Sequence, residues 1–384
     1  MVLGLWVAVH RVSWLGPLVA NTLRSIIGVQ AVTDLEETAY GLQDRWNRFW
    51  RDGEQPEAYW EVPERTAATP PPVATTEAGC TVPAFALENV GPVHDSWSAP
   101  GDGVWVPIAD PQHPTDSPRM LKTLLHPDRI RSWAAVSVVA VDLRTVDLHL
   151  MAGSYEPKNS TKEAFKYERK AIIAPEAQGE LLGAFNGGFR AEHGHYGMRV
   201  DGVTLVQPRR LSCYIGKYGD DQLRVGDWKK HEDTAADAVW WRQTPGCMVD
   251  DGELHPGLRA EKNTYWGATL DGDTIIRRSA LGLSADGRVL YVGIGDFTTA
   301  KVIAVGMRHA GARYVAQLDV NWSYPKFVLY QPREEGSREL YATPLCKGFE
   351  FSEDEYVRKR ADRDFFYLTR KPQPRIEASV CGEE

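Results

Sequence analysis

Three Asp-Gly pairs, Asp201-Gly202, Asp251-Gly252 and Asp286-Gly287, each separate two short apolar runs. Asp-Gly readily takes the positive φ that a tight hairpin loop needs, so each pair predicts two antiparallel strands. Met198-Arg-Val200 and Val203-Thr-Leu-Val206 flank the first, and Arg277–Leu283 and Val289–Ile294 the third. Asp142-Leu-Arg-Thr145 reads as another hairpin turn, between the Val/Ala run 134–141 and the alternating run 146–151. Leu211–Ile215 and Gln222–Val225 add to the sheet.

Helical patterning is scarce. Thr298-Thr299 can cap a helix over 300–309, with Val302, Ile303 and Met307 on one face and Gly311 as its stop. The next strand is Tyr314-Val-Ala-Gln-Leu-Asp319, so strand, helix and strand predict one right-handed crossover. Residues 161–172 read as a further helix. The expected class is α+β, a largely antiparallel mixed sheet with a few helices, preceded by an N-terminal helical segment.

Four stretches organise the chain. Residues 1–62 form an apolar and helical N-terminal segment, 63–79 an extended Pro/Ala/Thr linker, 80–370 the main domain and 371–384 a tail. Within 1–32 no run reaches the ~18 apolar residues of a membrane span. A basic leader with a clean cleavage site is absent too. Three arrangements are open: the tail of a signal anchor, an interfacial amphipathic helix, or a helix docked on the domain. From Thr33 the spacing of Leu35, Ala39, Leu42, Trp46, Phe49 and Trp50 predicts a helix with one apolar stripe, stopped by Gly53 and Pro56.

A net charge of -8 argues against nucleic acid as the main partner, since phosphate backbones need a basic surface. Five cysteines lack any C-x-x-C spacing, which disfavours a cysteine zinc site. One or two disulfides are open, and would suit an oxidising compartment. Neither a Gly-x-Ser-x-Gly elbow nor a P-loop occurs.

The densest chemistry lies in Gly183-Ala-Phe-Asn-Gly-Gly-Phe-Arg190. A buried strand, 181–185, runs into Asn186-Gly187-Gly188, where successive N–H groups can form a concave anion nest. His193 and His195, two apart and beside Glu192, would share a side on extended chain and could donate a proton or hold a divalent metal. No third ligand is fixed by spacing, so no metal or other cofactor is expected.

Phe185-Asn-Gly-Gly-Phe189, Asp201-Gly202, Arg278-x-x-x-Gly282, Asp286-Gly287 and the helix leading into Gln317-Leu-Asp319 occur in one order. That ordered set, over roughly residues 130–330, resembles the phosphodiester glycosidase domain family. The resemblance implies a phosphodiester-glycosidase-like fold and cleavage of a glycosyl-phosphate linkage at the anomeric carbon. In that chemistry phosphate leaves readily, a carboxylate supports the oxocarbenium-like centre, and donors hold the phosphate oxygens. It implies Asp319 as the first carboxylate and Asp201 as the second; His195, from the pair above, is the candidate acid. Asn186, the Gly187 and Gly188 N–H groups, and Arg199 or Arg278 would bind substrate. Where the family commonly has glycines after Leu-Asp, this chain has Val320-Asn321-Trp322, with Ser323 kept. Asn321, Trp322 and Ser323 would thus line an altered pocket. A carbohydrate or glycosyl-phosphate substrate, in polysaccharide metabolism, and a cell-envelope location, exported or anchored through residues 1–32, follow from the layout and the resemblance. The alternative is an inactive relative that binds glycans or serves envelope assembly.

Overall fold

The computed structural model describes residues 41–62, 73–75, 81–259, 266, 275–334 and 336–371. Residues 1–32 and 372–384, and with them the anchor and most of the tail, lie outside the described residues. So do Cys80 and Cys381. Within the stretch read as linker, Val73–Thr75 pairs with Thr81–Pro83.

Beyond this ribbon the described residues form three sheets. The largest has eight strands in the order Glu253–Leu254, Val249–Asp250, Tyr314–Val320, Ile276–Leu283, Val289–Thr298, Val136–Asp142, Met120–Leu125 and Val106–Pro107. A second holds Leu223–Asp227, Cys213–Tyr218, Ala238–Thr244, Met198–Val200 and Val203–Val206. The third holds Leu340–Pro344, Phe327–Pro332, Leu181–Asn186, Phe365–Arg370 and Val146–Met151.

The architecture is thus mostly antiparallel sheet with few helices. The crossover exists, but it does not make a mixed sheet. Helix Ala300–His309 joins Val289–Thr298 to Tyr314–Val320, and Ile276–Leu283 lies between those two strands, antiparallel to both. Among the described residues every paired strand is antiparallel. The expected helix over 161–172 shrinks to the 3-10 turn Glu163–Lys166. The chain beyond it is irregular, with Tyr167 extended and Ala171 at φ 55°.

The large sheet is covered on both faces, which explains why Val136–Asp142 is buried throughout. One face, through Val138, Ala140, Ala280 and Val315, meets Ile303, Ala304 and Met307 of the helix. The other, through Val139, Val141, Leu281 and Leu318, meets both smaller sheets. There Phe185, Phe327 and Phe366 stack with centroids 5.7 and 5.3 Å apart. Cys213, on the second sheet, forms a disulfide with Cys247, in the link from Ala238–Thr244 to Val249–Asp250 of the large sheet, Cα–Cα 4.6 Å. The candidate site lies where the three sheets meet.

Candidate functional site

A bulge aims Asp319. Ala280 pairs with Gln317 and Arg278 with Val320, so Leu318 and Asp319 together oppose Ser279. Regular alternation would have put Asp319 beside Gln317; the extra residue turns it instead onto the face of Leu318 and Ser279. Ser279 Oγ donates to the Asp319 carbonyl at 3.2 Å and accepts from Asn186 Nδ2 at 2.8 Å. Asn186 Oδ1 accepts from the Lys326 N–H at 3.1 Å. Asn186 is fully buried, and these bonds make it the brace that joins the third sheet to the large one.

The Asp319 carboxylate accepts the Val320 N–H at 2.9 Å and an ion-paired bond from Arg363 Nη1. Burial raises its pKa, and the Arg363 charge opposes that rise. Arg363 is the partner that reaches solvent, its side chain 19% exposed against 2% for Asp319. The guanidinium also lies 4.4 Å from the Tyr324 ring centroid.

The Asn-Gly-Gly nest holds an anion, and that anion belongs to the chain. Gly187 N–H donates to the Asp364 carbonyl at 2.9 Å, and Gly188 N–H to Asp364 Oδ2 at 2.9 Å. Arg242 Nε donates to the same Oδ2 at 2.9 Å, and Arg242 also donates to the carbonyls of Phe189 and Tyr196. Tyr324 Oη donates to the Asp364 carbonyl at 2.7 Å. The expectation that Gly187 and Gly188 present free N–H groups to phosphate is therefore corrected: Asp364 already takes both.

Arg199 and Arg278 are corrected as well. On its strand Arg199 pairs with Trp241, and its charge acts on Tyr214, on the aromatic side of the second sheet. Met198 pairs with Arg242, so Arg242 is the arginine of that sheet that faces the site. Arg278, fully buried, donates to the Thr298 and Trp266 carbonyls and to Gln317 Oε1, on the far face of the large sheet. Its neighbour Arg277 points the other way. Arg277 donates to the carbonyls of Trp322 (2.7 Å) and Gly348 (3.0 Å) and pairs with Asp296 at 2.9 Å.

Around Arg277 stands a second cluster. Phe297, held at φ 51°, meets the Trp322 ring edge-on, centroids 5.0 Å apart, and Phe349 lies 4.2 Å from the guanidinium. Asn321 Oδ1 accepts from both N and Oγ of Ser323, folding residues 321–323 into a turn, and the Asn321 N–H donates to the Arg277 carbonyl. Asn186 and Asp319 are thus joined through Ser279, with Arg363 on the Asp319 carboxylate, while Asn321, Trp322 and Ser323 gather about Arg277 and Asp296.

Asp201 and His195 stand elsewhere in role. Asp201 is an exposed turn residue at φ 50° whose Oδ2 accepts from Tyr167 Oη at 2.7 Å. His193 and His195 are exposed on the turn that follows Arg190, not on extended chain, and His195 sits at φ 50°. His193 Nε2 is 3.7 Å from Glu192. Among the described residues no three His, Cys, Asp or Glu side chains group to hold a metal. No helix among them is long and apolar enough to cross a membrane.

No family model and no curated protein matches this chain. Among solved structures, the catalytic domain of zebrafish N-acetylglucosamine-1-phosphodiester alpha-N-acetylglucosaminidase, auto-inhibited by its pro-peptide, is similar at TM-score 0.42 and 18% identity. That likeness covers 69% of this chain and 87% of that one. A protein from Synechocystis is similar at TM-score 0.33 and 10% identity, over 62% of this chain and 59% of that one. At such scores neither likeness transfers a role to any residue here.

Proposed function

We propose that the protein is a hydrolase of a sugar phosphodiester. The observation that carries this reading is Asp319: a buried carboxylate, turned by a bulge onto the face where it meets the solvent-reaching Arg363. Asp319 supports or attacks the anomeric carbon as its bond to the phosphate oxygen breaks, and water then supplies the oxygen that replaces it. The phosphate monoester departs without needing a strong acid. Arg363 and Arg277 are the donors for its oxygens. The ordered Asn-Gly-Gly-Phe to Leu-Asp motif set supports the same chemistry. The Cys213–Cys247 disulfide supports an exported, envelope location and substrates drawn from polysaccharide metabolism.

A second reading, a glycan-binding relative without turnover, draws on different observations. Asp364 fills the nest, and Trp322, edge-on to Phe297, stands where the family commonly has a glycine. Release of sugar or phosphate from a panel of sugar-1-phosphodiesters separates the two. Wild type would turn over at least one substrate, and folded Asp319→Asn and Arg363→Ala would not. If no substrate turns over and Trp322→Ala abolishes glycan binding, the second reading replaces the first.

A further inference from the structure

The helix over residues 41–50 is docked on the domain by its polar side. Buried Asp44 receives two bonds from Arg131, Nε to Oδ1 at 2.6 Å and Nη2 to Oδ2 at 2.8 Å. Arg131 is held in turn by Asp128 at 2.8 Å. Seven residues, about two turns, beyond Asp44, Arg51 stands 5.4 Å from the Trp133 ring centroid. The opposite side carries Leu42, Trp46, Phe49 and Trp50, which are 57%, 64%, 75% and 64% exposed. Trp46 and Phe49 each pack on Trp50 with centroids 5.6 Å apart. An apolar stripe on a surface helix ordinarily faces the core; here it is turned outward.

Charge says what meets it. Arg45, Arg48, Arg51 and Arg129 line a cavity of about 750 Å³ beside Phe49 and exposed Ile130, with Asp52 as the acidic group among them. The chain as a whole carries -8. A positive patch on a negative protein suits an anionic partner. A second copy meeting this face about a two-fold axis would set arginines against arginines. Aromatic side chains flanked by arginines match the interface of a bilayer, where rings sit at headgroup depth and guanidinium groups meet lipid phosphate.

We propose that the outward face of helix 41–50, with Arg129 and Ile130, lies on an anionic lipid bilayer. The helix lies along the surface and holds the folded domain against it.

The test is co-sedimentation of the full chain with vesicles of phosphatidylcholine alone or mixed with phosphatidylglycerol. Two variants stand beside wild type: Trp46→Ser with Phe49→Ser and Trp50→Ser, and Arg45→Gln with Arg48→Gln and Arg129→Gln. All six side chains are outside the core, so circular dichroism should match wild type. Wild type is expected on the mixed vesicles, about tenfold more weakly on the neutral ones, and each variant at least about tenfold more weakly than wild type on the mixed ones. Variants that bind like wild type would move any attachment to residues 1–32 and overturn the proposal. Wild type that ignores anionic vesicles would overturn it too, as would a dimer that the aromatic variant dissolves in the absence of lipid binding.

Discussion

Asp364 and Arg242, both fully buried, meet at 2.9 Å between the third sheet and the second. The pair is also tied to the backbone of Gly187, Gly188, Phe189 and Tyr196. Removing one member leaves an uncompensated buried charge, which costs about 3–5 kcal/mol. Asp364→Ala and Arg242→Ala should each lower stability by that amount in urea unfolding, and the double variant by clearly less than the sum. Additive losses would mean that the two charges act independently.

The glycines of the nest are there for space, those of the hairpins for conformation. A Cβ on Gly187 would fall 2.3 Å from Asp364 Oδ2 and 2.4 Å from its carbonyl oxygen. Gly202 has nothing within 4 Å, but its φ is +76°. Gly187→Ala should therefore cost about 2–3 kcal/mol through forced displacement of backbone. Gly202→Ala should cost about 1 kcal/mol through strain. Equal losses in thermal melts would remove the distinction.

The three Asp-Gly hairpins were legible because their turns are local chemistry: Asp201, Asp251 and Asp286 each precede a glycine of positive φ; the turn 142–145, also read as a hairpin, instead leads from the large sheet into the third. Partition into three sheets was not, since it depends on which distant strands meet. Asn186 and Asp319 were legible as strand ends beside special turns, though their bonding was not. Arg278 lies one residue from Arg277, and Arg199 lies on the opposite face of the second sheet from Arg242, because facing follows strand parity, which motif order does not reveal. Arg363 and Asp364 were hidden in the charged run 358–364. The signal was its abrupt change to Phe365-Phe-Tyr-Leu, a strand headed by an Asp. The stripe Leu42–Trp50 was visible, but periodicity cannot say whether a stripe faces in or out.

The arginines should separate by face. Arg199→Ala, beside Tyr214, should leave turnover on a sugar phosphodiester within about twofold of wild type. Arg277→Ala should lower it by at least about tenfold, as expected for a lost phosphate donor. The reverse order would shift the site to the other side of the second sheet.

Cys346 should be silent in the folded protein. Burial pushes its thiol up to about 11, and its Sγ lies 2.9 Å from Ser137 Oγ. At pH 8 only about one part in a thousand is thiolate, and that fraction is enclosed. Peptide mapping after iodoacetamide should find Cys346 unmodified in native protein and alkylated in denaturant. Native alkylation at a rate like that of an exposed thiol would refute the burial.

Asp319 should report the same proton in stability and in rate. Its folded pKa is raised, first by burial, so folding favours the protonated acid. The stabilisation from that proton is full below the unfolded pKa and is lost as pH rises through the folded one. Asp319→Asn carries no such proton. The stability of wild type relative to this variant should therefore fall with rising pH, beginning at the ordinary carboxylate value of the unfolded chain, and level off above the raised folded one. Turnover, which needs the carboxylate, should rise over the same interval and reach its plateau where the stability difference does. A stability difference that is flat with pH would mean that Arg363 fully offsets the burial of Asp319. A rate limb at an unrelated pH would assign the catalytic carboxylate to another residue, of which Asp296 is the first to test.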